Sequence, residues 1–163
     1  MADMTLLADI KRRIIAPVVL DLALPGDDAA RVQLHAGIGN VETGFRAKLQ
    51  AGGPALGFWQ MEPATHDDCW HNWLWARPAL AQVVLGYLPA RFKGVPNVGA
   101  MIESDSYAVA MSVIRFRRSP VALPPRNDAG AQCTAWKAGY NSALGAGEID
   151  GARIALFQEA IDA

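Results

Sequence analysis

Apolar residues recur at helical spacing through most of this chain, and Gly and Pro cut the pattern into short lengths. Leu34, Ile38, Val41 and Phe45 lie four, three and four apart, which places them on one buried stripe of an α-helix. Leu6, Leu7, Ile10, Ile14 and Ile15 repeat the pattern near the start, Tyr107, Met111 and Ile114 in the middle, and Ile154, Phe157 and Ile161 at the end. Between them fall breakers: Pro17 and Leu24-Pro25-Gly26, then Gly52-Gly53-Pro54, Gly94 with Pro96, and the proline-rich Ser119 to Pro125. No strand-rich region or internal repeat is visible. A chain of 163 residues, 52% of them hydrophobic, is long enough for one domain with a proper core. The expectation is a mainly α single domain over residues 1–163, with room for a small β-hairpin in the Arg46–Leu56 segment.

Local signals place the helix ends. Pro17 should close the first helix, and Asp27-Asp28 should cap and open one that runs towards Phe45. From Ala64 another helix should start, with Thr65 as cap candidate and Asp67 and Asp68 in its first turn. Pro78 should restart a helix to Leu88. A helix should end before Ser119-Pro120, and Asn127 or Asp128 should cap one reaching towards Tyr140.

Charge and composition exclude several functions. Lys plus Arg number 15 and Asp plus Glu 16, so the basic excess of a general nucleic-acid binder is missing. Asp3, Asp9, Lys11, Arg12 and Arg13 interrupt any signal-type or membrane-spanning run in the first twenty residues, so neither a signal peptide nor stable membrane insertion is expected. Cys69 and Cys133 have no metal-ligand or CxxC spacing and read as buried free thiols. His66 and His71, five apart, read as surface or core-edge histidines, and no zinc or phosphate-loop motif occurs. His35 is seven positions from Glu42 and is placed to face a cleft. No cofactor or metal is called for, and a monomer is expected.

The chemistry-bearing segment is Glu42-Thr43, followed by Gly57-Phe58-Trp59-Gln60 and then Pro63-Ala64-Thr65. It resembles the catalytic segment of the lytic transglycosylase branch of the lysozyme-like superfamily. There a Glu-Ser pair near a helix end precedes Gly-Leu-Met-Gln and a Pro-x-Thr helix start. Phe58-Trp59 replaces the family's Leu-Met, and Thr43 its Ser. Further on, Ala138-Gly139-Tyr140-Asn141-Ser142 is similar to the family's Ala-x-Tyr-Asn-x-Gly, with the final Gly displaced to Gly145 or Gly147. The resemblance covers roughly residues 30 to 145. It implies a lysozyme-like fold and a peptidoglycan-degrading enzyme cutting the bond between N-acetylmuramic acid and N-acetylglucosamine. Glu42 would be the acid and then the base, with Gln60, Tyr140, Asn141, Trp59 and Thr43 contacting peptidoglycan glycan strands. The Ser119–Pro125 loop and Trp136-Lys137 also resemble small phage-encoded peptidoglycan-degrading proteins. That implies an endolysin held in the host cytoplasm until holin release, or a virion-associated lysin.

Such an acid must stay protonated near neutral pH, which burial among Ile38, Val41 and Phe45 would favour. Arg46, one turn on, would oppose it unless it faces solvent or the helix ends near Gly44. Phage-type lysozymes carry an aspartate shortly after the glutamate, but Ala51 stands there, and no carboxylate lies between Glu42 and Glu62. That absence favours a single-acid lytic transglycosylase. Two alternatives stay open: a hydrolytic muramidase with Glu62 or Asp67 as second carboxylate, and a non-catalytic glycan-binding or virion structural domain.

Overall fold

A computed structural model describes residues 3–141 and 147–163. Helices dominate: α1 (Met4–Ile10), α2 (Ala16–Leu22), α3 (Asp28–Glu42), α4 (Pro63–Cys69), α5 (Pro78–Leu85), α6 (Ala100–Glu103), α7 (Asp105–Arg118), α8 (Ala129–Trp136) and α9 (Gly151–Asp162). Helix α7 forms the centre. The stripe expected at Tyr107, Met111 and Ile114 widens to an unbroken buried run from Tyr107 to Ile114, as in a helix packed on all sides. Ser104 caps it by accepting from Tyr107 N, and the helix stops at Arg118 before Ser119-Pro120 as expected.

Helix α3 lies against α7 and packs closely on α9. Asp27 caps α3, its carboxylate accepting from Ala29 N and Ala30 N. Asn40 ties the other end to α9 by donating to the Leu156 carbonyl oxygen and to Glu159 Oε2, both at 3.0 Å. The close approach requires Gly37, because a Cβ there would stand 2.1 Å from Cδ1 of the buried Phe157. Lys11 Nζ caps the far end of α9 by donating to the carbonyl oxygens of Ala160 and Ala163.

Several expected boundaries move. Pro17 does not end the first helix: a π-helical turn over Lys11–Ile15 joins α1 to α2, and Pro17 falls in the first turn of α2, where a missing N–H is tolerated. Helix α3 ends at Glu42 rather than Phe45, which turns left-handed at φ +56° yet stays buried. Glu62, not Thr65, occupies the N-cap of α4, so Asp67 and Asp68 fall beyond its first turn. The helix expected to reach Tyr140 changes at Lys137 into a π-helical turn, Lys137–Asn141, and Asp128 supplies its cap. The Arg46–Leu56 segment forms no strand; with the residues after it, it makes isolated antiparallel bridges, Leu49 with Leu56 and Leu56 with Met61. Cys69 and Cys133 are both buried free thiols. Among the described residues no helix is long and apolar enough to cross a membrane.

Replacing Gly37 with Ala should cost roughly 1–3 kcal/mol, because the added methyl overpacks the α3–α9 contact. A urea midpoint equal to that of the unaltered protein would show that the two helices are not held this closely.

Candidate active site

The C-terminal end of α3 opens onto a cleft of about 540 Å³, lined by Glu42, Gln60, Glu62, Tyr140 and Asn141 together with Gln50, Thr65, Arg115, Trp136 and Arg153. Gln60 reaches the cleft from the turn Gly57–Gln60, which is closed by reciprocal hydrogen bonds between Leu56 and Met61 of 2.9 and 3.1 Å. Gly57 has φ +75°, and a Cβ there would meet the Met101 carbonyl oxygen at 2.8 Å. Gln60 is left-handed too, at φ +50°.

Three carbonyls of this turn are paired by three of the residues expected to bind substrate. Gln60 donates from N and Nε2 to the Gly57 carbonyl oxygen, both at 3.0 Å. Thr43 Oγ1 donates to that of Phe58 at 2.8 Å and accepts from Phe45 N at 3.1 Å. Tyr140 Oη donates to that of Trp59 at 2.7 Å. A buried carbonyl left unpaired costs about 1–3 kcal/mol, so the three bonds outweigh left-handed strain at Gln60 of about 1 kcal/mol or more.

The expected roles are therefore redistributed. Trp59, expected beside substrate, is 1% exposed, and its indole N–H donates to the His35 carbonyl oxygen at 2.8 Å. Thr43 does not line the cleft. Tyr140 contributes to the cleft wall, but its hydroxyl bonds inside the core rather than to Glu42; burial pushes its pKa up to about 12. Asn141 lines the cleft, its Oδ1 accepting from Lys137 Nζ at 2.9 Å. Ser142 and Gly145 lie outside the described residues. His35 does not face the cleft; it is buried, its Nδ1 2.9 Å from Ser112 Oγ, and desolvation lowers its pKa to about 3. His66 is likewise a core residue, between Tyr107 Oη and Asp67.

Glu42 is the half-buried acid of the site. Burial raises its pKa above the ordinary glutamate range, while a hydrogen bond from Trp136 and the charge of Arg115 pull the other way. Trp136 Nε1–H donates to Glu42 Oε1 at 2.9 Å, so the proton of the acid form belongs on Oε2. Arg46 is exposed and is not among the groups that act on Glu42, because the helix has ended. Glu62 is exposed at the cleft lip, whereas Asp67 is 64% exposed, pairs with His66 and lies outside the cleft. Trp136 and Arg115 reach the site from 94 and 73 positions away, beyond what spacing around Glu42 can reveal. Among the described residues no group of His, Cys, Asp and Glu is arranged to hold a metal ion. No protein-family model, curated protein or solved structure matches the chain.

Two outcomes follow for Glu42. Trp136→Phe removes the donor that favours the carboxylate, so the Glu42 pKa should rise further in a carboxyl-carbon NMR titration; an unchanged or lower value would contradict the bond. Because the folded pKa lies above the unfolded one, this group's stability contribution is complete below the unfolded pKa and is lost as pH rises through the folded value. Glu42→Gln should accordingly gain stability relative to wild type as pH rises above the ordinary glutamate value of about 4, measured by denaturation; a constant difference would mean an unshifted carboxyl.

Proposed function

We propose that the chain is a lysozyme-like peptidoglycan-degrading enzyme, of the kind phages encode as endolysins or virion lysins, working by a single-acid lytic transglycosylase reaction. The observation that carries this reading is Glu42 itself: a half-buried carboxyl of raised pKa, oriented by Trp136, opening onto a cleft that also holds Gln60, Tyr140 and Asn141. The helical fold, with bridged residues 49–61 beside the end of α3, is compatible with a lysozyme-like arrangement.

In the first step Glu42 Oε2–H protonates the glycosidic oxygen leaving C1 of N-acetylmuramic acid, while that sugar's acetamido oxygen closes on C1. In the second, the Glu42 carboxylate takes the proton of the sugar's own C6 hydroxyl as that oxygen displaces the acetamido oxygen. A 1,6-anhydro product forms, and the acid is restored. Opposed influences on one carboxyl suit both steps: burial favours the acid form, and Trp136 with Arg115 supports the anion that must act as base.

A hydrolytic reaction is the second reading, favoured by the position of Glu62 on the same cleft. Asp67 loses that candidacy because it lies outside the cleft. Glu42→Gln should lower clearing of purified cell walls by at least about a hundredfold while the protein stays folded, and Glu62→Gln should lower it by less than about tenfold. Equal clearing by Glu42→Gln and wild type would leave a non-catalytic glycan-binding domain; loss of clearing in Glu62→Gln as complete as in Glu42→Gln would favour hydrolysis.

A further inference from the structure

Arg115 stands in the cleft, and among the described residues its hydrogen bonds go to Tyr140 and to no carboxylate. Its guanidinium carbon is 4.2 Å from the Tyr140 ring centroid, and Nη2 donates to the Tyr140 carbonyl oxygen. These contacts with Tyr140 occupy only part of a five-donor planar fork whose shape matches a carboxylate. Arg115 forms no ion pair with a carboxylate among the described residues. It is not the direct counterion of Glu42 either, because the group that touches the Glu42 carboxyl is the Trp136 indole. The cation–π contact with Tyr140 and the bond to its carbonyl oxygen restrain the guanidinium, which lessens the ordering cost of a two-pronged contact. Arg153 lines the same cleft from α9, held by Asp150 at 2.5 Å.

Resting on the glycan-cleaving reading above, we propose that Arg115, assisted by Arg153, forms a carboxylate-binding subsite. It selects glycan that carries a carboxylate, either on the lactyl ether of a muramyl residue or on the peptide attached to that ether, over a neutral N-acetylglucosamine polymer. The subsite gives the cleft a means of telling a cell-wall strand from chitin-like glycan without a basic surface, in keeping with the net charge of −1.

The test is calorimetric titration of the Glu42→Gln protein with three oligosaccharides of equal length. One is a peptide-free muramyl strand with free lactyl carboxylates, one the same strand bearing its peptides, and one an N-acetylglucosamine oligomer. At least one carboxylate-bearing strand should bind about tenfold more tightly than the neutral oligomer, the equivalent of one charge-assisted contact. Which strand gains identifies the source of the carboxylate. Arg115→Gln should bring that ratio close to one, and Arg115→Lys should restore part of it. Methyl-esterifying the carboxylates should erase the preference with Arg115 intact, so the result does not depend on the folding of a variant. Equal affinity for all three ligands would overturn the subsite and leave the glycan-cleaving reading standing. Absence of binding to any of them would overturn both.

Discussion

The turn Gly57–Gln60 must hide its carbonyls, and the rest of the site is arranged around that requirement. It lies against the end of α3, with Gly57 and Trp59 buried and Phe58 and Gln60 half-buried. Its pairing groups come from three places: Gln60 within the turn, Thr43 just past α3, and Tyr140 on the last π-helical turn. Trp59 returns a bond to α3 through the His35 carbonyl oxygen. A polar cluster of this kind fixes relative positions more sharply than apolar packing does, because each group has only one place in which it is satisfied. It holds α3, the turn and the Tyr140 segment in one register. Glu42 and Trp136 meet within that register.

This division of labour separates scaffold from chemistry. Thr43, Gln60, Trp59 and the Tyr140 hydroxyl are engaged by the fold, so the polar groups left to meet a ligand include Glu42, Gln50, Glu62, Thr65, Asn141 and Arg115 with Arg153. The acid is set by a contest in which burial prevails over an indole donor and a neighbouring cation. A carboxyl on the same helix end with full access to water would ionise at its ordinary pKa. One with neither Trp136 nor Arg115 nearby would serve poorly as a base after giving up its proton.

Features governed by neighbouring residues were legible in the sequence. The Asp27 and Asp128 caps, the restart at Pro78 and the end of α7 at Arg118 depend on residues within a turn of the boundary. Pro17 was misread because the π-helical turn before it makes room that a Pro-stop rule does not anticipate. His66 reads as polar and peripheral in sequence; its burial depends on Tyr107, 41 positions away, to complete its hydrogen bonds. Glu42 was legible as a candidate acid, and its release from Arg46 follows from the helix ending at Glu42. The roles of Thr43, Gln60, Trp59 and Tyr140 were not. A motif records that such residues belong at a site, but which of them face the ligand depends on carbonyls that no pattern of side chains displays. Trp136 and Arg115 lacked a local signal, since each sits within its own helical stretch and meets Glu42 only through tertiary packing.

The proposed use of one acid without a second carboxylate is tested most directly by digesting cell walls in water enriched in oxygen-18 and weighing the fragments. Intramolecular attack takes no oxygen from solvent, so the new muramyl ends should be anhydro sugars, one water lighter than the hydrolytic product and free of the heavy isotope. One heavy oxygen at each new reducing end would contradict a single-acid reaction and assign the second carboxylate's work to Glu62.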